Sequence, residues 1–539
     1  MAKRLIRINS ILGGHNPTLY NGLEGGYSAG IAIDPDEPLA DTGASVRSIR
    51  TAGVLRPVAY GAFDGAEIDG NVIKIITSPQ TSKVYAILVN GDIVSYSSTL
   101  GTETLVGTVA GSNAEGAELY NNYIYIFGTG ASKNDISRYG PLDGTPTLTD
   151  AVWTGATLGS QTGLGNATYP SIRGSGNLPK HWAAAHVDGN LYVLDYDGTT
   201  TTAATRGKGL VHKIRTKYGS AAEGDTNDNS AYNVLDLPFG FYPTCIASYG
   251  KDIAITAVQT NGTVLEVGKS FLFLWDTTDT NTFYRMVPLP DPIATALLSN
   301  NGILSVWGGR LTATGGYSLY NYAGGLQMQE VVSFDEGHPP LPGAVDAFGD
   351  RVVWGSFVTY PANAAVIWAY GSKDNRVPRA LHCIAKATAS ATSTDGLVTA
   401  IKFAEQASNA RPQMVIAWRD ASAYGIDKRS TTYQASQWQS ELFNIGAPFN
   451  VLKVHIPLGI AIAANMTITP TVYTDDSNSS QALTTINNTN FSGKRRVSLP
   501  AKITGQNNLL LDLLWGGTAL CPVLFPIDIL IDVQEQATK

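Results

Sequence analysis

The sequence has little charge. Only 15% of its 539 residues are Asp, Glu, Lys or Arg, well below the usual quarter, and glycine, serine, threonine and asparagine take their place. Such a surface is turn-rich and uncharged, as in all-β virion and extracellular proteins. The formal net charge of −7 argues against a nucleic-acid clamp, which needs clustered Lys and Arg. A weakly acidic wall still suits a passage through which DNA moves without sticking.

Cysteine is scarce as well. Cys245, Cys383 and Cys521 lie far apart, are odd in number and show no Cys-x-x-Cys spacing. This pattern supports neither a disulfide framework nor a zinc site. We therefore expect three buried free thiols.

Long apolar runs and helical patterns are missing too. No run reaches the length of about eighteen apolar residues that a membrane helix needs, so we expect no membrane span. The first eight residues lack the long apolar segment of a secretory signal, which favours synthesis in a cytoplasm. Helix-period stretches are nearly absent, so sheets must pack on sheets.

The sequence does contain a repeated strand pair. Each copy has a short β-branched or aromatic strand, followed by a second strand that generally ends in an aromatic residue. Most copies are spaced by about forty to sixty residues, which is what one four-stranded propeller blade with its loops requires. The seven pairs are 84–88 with 93–96, 123–126 with 136–139, 191–194 with 211–214, 253–255 with 271–275, 303–307 with 318–322, 352–354 with 366–370, and 414–418 with 423–426.

These pairs predict an all-β fold in which residues 71–438 form one closed, irregular β-propeller of about seven blades around an axial channel. Closure would remove the sheet edges that a charge-poor chain otherwise exposes. Proline-led segments fit the links from the outer strand of one blade to the inner strand of the next. These segments are 179–185, 243–247, 290–294 and 342–344.

The two ends of the chain have a different character. Residues 1–70 predict an extended N-terminal arm with the first strands, lying on a neighbouring surface, and we expect residues 1–50 to become ordered only in an assembly. Residues 439–539 predict a C-terminal β-sandwich, so deleting them should leave the propeller folded. Its six expected strands are 449–457, 466–473, 481–486, 495–500, 508–515 and 525–533.

Catalytic signals are weak. Residues 26–30 match the G-x-S-x-G nucleophile elbow, but no helix-like segment follows them. The spacing of His181 and His186 puts their rings on opposite faces of a strand. The acidic segments 195–198 and 225–229 lack the full spacing of a calcium loop. We assign no catalytic, cofactor-binding or metal residue, and we predict that the protein is not an enzyme.

The remaining charged candidates also favour structural roles. Asp64, Asp188, Asp252 and Asp350 lie beside turns at the starts of strands, where an aspartate commonly closes the turn with its own backbone. No repeated Ser-x-Asp-x-Gly-x-Thr-Trp turn occurs. Residues 494–496 form the only three-residue basic run, which we interpret as a charge patch on the rim.

Several short segments carry a family resemblance. Gly13-Gly14, the following arm, the Gly-x-x-Arg-Pro segment at 53–57 and the irregular propeller resemble the nozzle or hub proteins at the distal end of the tail in short-tailed bacteriophages. Residues 438–446, leading into 454–458, are similar to propeller-exit segments of that class.

The resemblance implies a structural virion protein without catalytic residues or cofactors. It implies a homohexameric ring in the tail that continues the DNA-ejection channel below the tail adaptor and portal-side proteins and docks fibres or spikes. Viral DNA would pass without sequence-specific binding.

Two alternatives remain open. One is a receptor- or glycan-binding virion protein, favoured if Trp515 and Tyr473 form an aromatic platform. The other is a propeller glycoside hydrolase, which needs two carboxylates that face one cavity.

Overall fold

In the computed structural model, the described part of the chain is almost entirely β-strand, with one short helix. The described residues are 2–10, 14–15, 26–31, 60–62, 69–78, 80–97, 103–131, 135–153, 182–197, 207–214, 231–259, 269–278, 282–310, 315–358, 364–372, 379–387, 396–404, 412–420, 423–429, 433, 435–475 and 479–534.

The chain starts with four strands that belong to three different sheets. They are β1 (Ala2–Ile8), β2 (Gly14–His15), β3 (Gly26–Ile31) and β4 (Tyr60–Ala62).

Seven four-stranded antiparallel sheets follow, and they are the blades of a closed propeller. Blades 1 to 3 are β5 (Val72–Thr77), β6 (Val84–Leu88), β7 (Asp92–Tyr96), β8 (Glu103–Thr108); β9 (Gly116–Tyr120), β10 (Tyr123–Thr129), β11 (Asp135–Gly140), β12 (Thr147–Trp153); and β13 (Ala183–Ala185), β14 (Leu191–Asp197), β15 (Lys208–Ile214), β16 (Ala231–Asp236). Blades 4 and 5 are β17 (Phe241–Tyr249), β18 (Asp252–Gln259), β19 (Ser270–Trp275), β20 (Arg285–Pro288); and β21 (Ile293–Asn300), β22 (Ile303–Gly309), β23 (Tyr317–Tyr322), β24 (Gln329–Phe334).

Blade 6, like blades 1 to 5, consists of four consecutive strands. Blade 7 consists of three consecutive strands and one strand from the N-terminal region. Their strands are β25 (Val345–Phe348), β26 (Arg351–Val358), β27 (Ala364–Gly371), β28 (Ala380–Lys386); and β29 (Leu397–Ala404), β30 (Gln413–Asp420), β31 (Ala423–Arg429). The outer strand of blade 7 is β4, which pairs antiparallel with β31. Because β4 precedes blade 1 in the chain, this pairing ties the two ends of the ring together.

The predicted propeller of about seven blades is confirmed. The inner strands β5, β9, β13, β17, β21, β25 and β29 contact one another in a complete ring. Each of the seven strand pairs found in the sequence falls on the second and third strands of one blade. These middle strands are buried between neighbouring blades, as in β6 and β22, which explains why they are the most apolar segments.

The chain ends in a two-sheet sandwich. Its remaining elements are β32 (Ser436–Ser440), β33 (Phe443–Asn444), β34 (Phe449–Pro457), β35 (Thr467–Thr474), β36 (Ser479–Ala482), β37 (Ile486–Asn487), α1 (Asn488–Phe491), β38 (Arg496–Gly505), β39 (Asn508–Trp515) and β40 (Ile527–Val533). The front sheet has the order β1-β40-β34-β38, and the rear sheet has the order β2-β3-β32-β39-β35-β36, with β33 and β37 on its margins.

The sandwich is built from both ends of the chain. β1 pairs with β40 from Ala2↔Val533 to Ile8↔Ile527, and Ile6 and Ile8 enter the sandwich core. β3 pairs with β32, so the strand that leads toward the propeller is bonded to the strand that leaves it. The propeller is therefore inserted between two paired sandwich strands.

This arrangement corrects the interpretation of the N-terminal region. Residues 2–8 and 26–31 are not an arm on a neighbouring surface, because they pair within their own chain. β4 belongs to blade 7, and β32 begins before the expected boundary at residue 439. The sequence pattern failed to predict β1, β3 and β4 because their partner strands lie several hundred residues away. The rest of residues 1–50 lies largely outside the described residues.

The sandwich lies beside blade 6, since β2 and β3 contact its outer strand β28. Among the described residues, no helix has the length and apolar character that a membrane crossing would require.

Candidate functional site in the propeller axis

The propeller axis contains a cavity of about 470 Å³ that is lined by all seven blades. Blades 6, 7, 1 and 2 contribute its charged side chains, which are Asp346, Lys402, Lys74 and Glu118. Blades 3 to 5 contribute apolar and hydroxyl groups, among them Trp182, Ile246, Ser248, Leu297 and Ser299. The cavity therefore has a charged half and a less polar half.

Two ion pairs join neighbouring blades within the charged half. Lys74 Nζ lies 3.0 Å from Glu118 Oε2, and Lys402 Nζ lies 3.1 Å from Asp346 Oδ1. Asp346 Oδ2 also accepts the backbone N–H of Phe403 at 2.8 Å. Both lysine side chains keep partial contact with solvent. The formal charges of these four groups cancel.

Trp182 connects the two halves of the cavity. Lys74 Nζ lies 4.6 Å from the centroid of the Trp182 ring, which is within the range of a cation–π contact. Trp182 itself is buried. Blades 1, 2 and 3 are thus linked through one ammonium group.

The link between blades 5 and 6 contributes Pro342 and Gly343 to the lining of the cavity. Residues 337–344 are all buried, and Leu341 and Ala344 share an apolar cluster with residues of blades 3, 4, 5, 6 and 7. A Cβ atom on Gly343 would lie 2.2 Å from the carbonyl oxygen of Ile73. Only glycine permits this approach. Pro342 and Gly343 therefore lie at the wall of the axial cavity, and the axial channel expected from the sequence stays a prediction.

His338 lies in the same link. Its Nδ1 atom is 2.5 Å from the carbonyl oxygen of Pro339, and its own carbonyl oxygen accepts the hydroxyl of Ser356 at 2.7 Å. Burial lowers the pKa of His338 to about 4. At neutral pH, the link thus contributes a neutral imidazole to the propeller core.

The turns after the inner strands are fastened to one another. Tyr249 OH donates to the carbonyl of Gly302 at 3.4 Å, and Asn301 Nδ2 donates to Asp350 Oδ1 at 2.8 Å. Tyr120 donates to the carbonyl of Gly189. These contacts join blades 2 to 3, 4 to 5 and 5 to 6.

The candidate aspartates beside turns have structural partners. Asp188 accepts the hydroxyl of Tyr192 at 2.6 Å and the N–H of Asn190 at 3.0 Å. Burial alone would raise the pKa of Asp188, but its hydrogen bonds outweigh burial and lower that pKa. Asp252 accepts the hydroxyl of Tyr284 at 2.8 Å. Asp64 lies outside the described residues.

The histidine and acidic-loop candidates do not converge. His186 is buried, with Nδ1 3.0 Å from Asp188 Oδ1, and His181 lies outside the described residues. Asp195 is buried against His212, with Oδ2 2.9 Å from Nε2, inside blade 3. Residues 198 and 225–229 lie outside the described part of the chain.

The remaining candidate residues from the sequence also fail to form a common site. Residues 26–30 lie within β3 and pair with β32, whereas a nucleophile elbow requires a turn from a strand into a helix. Trp515 is buried and donates Nε1–H to the carbonyl of Cys521 at 2.8 Å, so it cannot form the expected platform with Tyr473. Residues 494–496 lead into the edge strand β38.

The described residues contain no group of three or more His, Cys, Asp or Glu side chains arranged to hold a metal ion. Cys245, Cys383 and Cys521 are buried free thiols. Burial raises the pKa of Cys245 and of Cys521 to about 12, so these groups are poor nucleophiles.

The four charged cavity residues were missed in the sequence. The signal was present: Lys74 and Lys402 each interrupt an apolar inner strand, in 72–76 and 400–403. An isolated lysine in such a strand requires a partner or solvent. Its partner is on another blade, which no local pattern identifies.

By its fold, the protein is a closed seven-bladed β-propeller with a β-sandwich that is built from both ends of the chain. No protein-family model and no curated protein matches the sequence. Similar solved structures include U3-55K, with 12% identity over 69% of this chain and 99% of that chain at a TM-score of 0.39. The RRP9 WD40 repeats match at 11% identity over 70% and 98%, with a TM-score of 0.38.

The WD40 domain of Pan2 from Neurospora crassa is also similar, with 9% identity over 69% of this chain and 94% of that chain at a TM-score of 0.40. The propeller fold of this chain is shown by its own sheets and by the ring of contacts between inner strands. Identities and TM-scores of this size carry no argument about function.

Proposed function

We propose that the protein is a structural component of a bacteriophage virion, a nozzle or hub subunit that forms a ring in the tail. The ring would continue the DNA-ejection channel, contact the adaptor and portal-side proteins and dock fibres or spikes. The proposal places the protein in the virion tail after synthesis in the host cytoplasm, and it assigns no enzymatic activity.

The observation that carries the proposal is the insertion of the propeller into the sandwich. The strands of both chain ends belong to the same sandwich. In it, β3, which leads toward the propeller, pairs with β32, which follows the propeller. This subunit has two unlike bodies joined at two points. Such a subunit suits a ring with head-to-tail contacts, because these contacts need two different surfaces on one molecule.

The lining of the axial cavity bears on the path of DNA. Residues 337–344 are buried, and Pro342 and Gly343 line the axial cavity, so we do not route DNA through a single propeller. In the proposed assembly, DNA passes through the centre of the ring of subunits. The excess of acidic over basic residues favours passage without sticking.

A propeller hydrolase is less well supported. A glycosidase needs one protonated carboxyl group and one ionised carboxylate across the scissile bond. In the axial cavity, Glu118 and Asp346 each form an ion pair with a lysine. Neither carboxylate is placed as a proton donor.

Glycan binding remains a second candidate because aromatic side chains are exposed at the turn end of the propeller. Tyr284 is 50% exposed and Phe348 is 46% exposed, and exposed aromatic rings are suited to stacking on sugars. A glycan array with the full chain would test this candidate. Loss of binding in the Tyr284→Ala and Phe348→Ala variants would assign it to this end.

Native mass spectrometry of the purified full chain tests the proposed function. We expect one closed oligomer whose mass is a fixed multiple of the 57.1 kDa subunit. Monomers alone at every protein concentration would contradict the proposal, as would polydisperse aggregates.

A further inference from the structure

The two bodies of the subunit differ in charge. Residues 32–435, which include the propeller, carry 28 Lys and Arg against 36 Asp and Glu, a formal charge of −8. Residues 1–31 and 436–539, which include the sandwich, carry the other 9 Lys and Arg against 8 Asp and Glu, a formal charge of +1. The acidity of the chain therefore lies in the propeller region.

The basic residues of the sandwich gather on the outer face of its front sheet. Alternate residues of β38 point away from the core, and the register of the four strands sets the exposed residues in rows. The cations of this face are Lys3, Arg7, Lys453, Arg496 and Lys502. Its anions are Asp528 and Asp532.

Asp528 fixes the geometry of one row. Arg7 Nε lies 2.8 Å from Asp528 Oδ1, and the Arg7 side chain is 51% exposed. Arg496 Nη2 lies 4.0 Å from Asp528 Oδ2, and its side chain is 70% exposed. The Asp528 carboxylate thus accepts a hydrogen bond from the exposed Arg7 guanidinium and lies at ion-pair distance from that of Arg496, and each guanidinium has more donors than this carboxylate engages.

The face is mixed rather than uniformly basic. Leu5 is 47% exposed and aligns with Leu530 across β1 and β40, and Asp532 lies in the next row. A nucleic-acid backbone would meet repulsion from Asp528 and Asp532 at the centre of the face. Leu5 and Leu530 share their row with Lys453, and such a mixture of exposed apolar and charged side chains is instead typical of a surface that binds protein.

We infer that the front sheet of the sandwich docks on the acidic propeller of a second copy of this chain. This inference rests on the proposed function, since it names the contact between ring subunits. The contact joins two different surfaces, as a closed head-to-tail ring requires. It also brings opposite charges together, and such charges favour one partner and one orientation over others.

The dimensions agree with a subunit contact. Four strands spaced by about 4.8 Å, with about 3.3 Å per residue, give a face of about 500 Å² before its margins are added. Lys494 and Arg495 extend the face next to β38. A standard interface buries about 800 Å² on each partner, so this face supplies most of one.

The acidic surface that we assign to the partner includes blade 2. Blades 2 and 3 lie across the seven-bladed ring from blade 6, beside which the sandwich sits. Asp143 and Asp150 are exposed at the outer side of blade 2. Asp143 is the better test position, because Asp150 also accepts the N–H of Ala110 at 2.9 Å.

Charge reversal tests the contact. The triple variant Lys453→Glu, Arg496→Glu and Lys502→Glu should lose the wild-type oligomer, with subunit affinity at least about tenfold weaker. The matched control carries the same charge change on the propeller, as Lys83→Glu, Lys251→Glu and Lys269→Glu, and should keep the oligomer. High salt should dissociate the wild type and leave its fold intact.

Cross-linking assigns the surfaces. Mixed light and heavy-isotope wild-type chains, treated with a carbodiimide that joins ammonium to carboxylate groups, should give mixed cross-links from Lys453 or Lys502 to propeller carboxylates such as Asp143. Cross-links confined to single chains, or joining two front sheets, would overturn the inference. Salt-dependent binding of duplex DNA by the wild type that the triple variant loses would also overturn it.

The two proposals fail in different ways. If the wild type forms rings and the triple variant forms the same rings, the inference is wrong and the proposed function stands. If the wild type remains a monomer, both are wrong.

Discussion

The propeller and the sandwich differ in how their sheets end. The propeller closes its seven blades into a ring, and β4 completes the last blade. The sandwich remains open: its front sheet ends in β1 on one side and β38 on the other. Open edges and unpaired faces invite contact with another chain. If the proposed ring forms, we therefore expect its subunit contacts to involve the sandwich.

Their cores differ as well. The propeller buries Trp275, Trp307 and Trp354 between blades, and Trp307 and Trp354 lie 5.7 Å apart between ring centroids. The sandwich core is mainly aliphatic, and its strands come from both ends of the chain. Local strand pairs therefore build the propeller, whereas the sandwich depends on contacts across the whole sequence.

Truncation should produce the largest difference between the two bodies. Residues 32–435 keep β4 and all blades, so this fragment should remain soluble and folded. Removing only residues 439–539 leaves β1 without β40 and exposes Ile6, Ile8 and Trp438, which belong to the sandwich core. We expect that longer fragment to aggregate, as measured by light scattering and circular dichroism. Equal solubility of both fragments would contradict the insertion.

Core truncations should separate the two bodies energetically. Trp354→Ala removes a buried ring and its hydrogen bond to Tyr317 OH at 3.0 Å, and should destabilise the propeller by about 3–5 kcal/mol. Leu511→Ala should destabilise the sandwich by about 2–5 kcal/mol. Hydrogen exchange under denaturant should show each loss mainly in its own body. A uniform loss across both bodies would indicate that they unfold as one unit.

Acidification should weaken the propeller through His338. Burial lowers the pKa of His338 from 6.5 to about 4. Between these two pH values, His338 is protonated in the unfolded chain and neutral in the folded chain. The stability from this group is fully present above pH 6.5 and is lost as pH falls toward about 4, by about 3 kcal/mol in all. Denaturant titrations at several pH values should show this loss. A His338→Gln variant with the same pH dependence would exclude His338 as its source.

The sandwich should show a smaller effect of the opposite sign through Asp512. Burial raises the pKa of Asp512 from 3.8 to about 6, although Gln437 Nε2 donates to both carboxylate oxygens at 3.1 and 3.0 Å. Stability from the protonated group is full below pH 3.8 and falls as pH rises through about 6, by at most about 3 kcal/mol. Asp512→Asn should remove this dependence. Carboxyl titration followed by NMR would measure the pKa directly.

The sequence predicted the propeller better than the sandwich because of where each pattern originates. The second and third strands of every blade are local hairpins buried on both faces, so 84–88 with 93–96 and its six counterparts stand out. The strands 449–457 and 508–515 were also predicted at their observed bounds, since burial alternates along β34 and β39 is almost wholly apolar.

Non-local pairing explains which strands and which cavity residues were not predicted from the sequence. β1, β3 and β4 are short segments whose partners lie several hundred residues away, so their own residues carry no signal of the sheet they join. The same holds for Lys74 and Glu118, which meet only when two blades pack. The buried link at 337–344 contains three prolines and reads locally as a loop, although Pro342 and Gly343 line the axial cavity.

Single-particle electron microscopy of the purified protein tests the proposed ring most directly. We expect a closed ring with a central hole, in which the front sheet of each sandwich faces the propeller of the next subunit. Isolated monomers, or open filaments without closure, would contradict it.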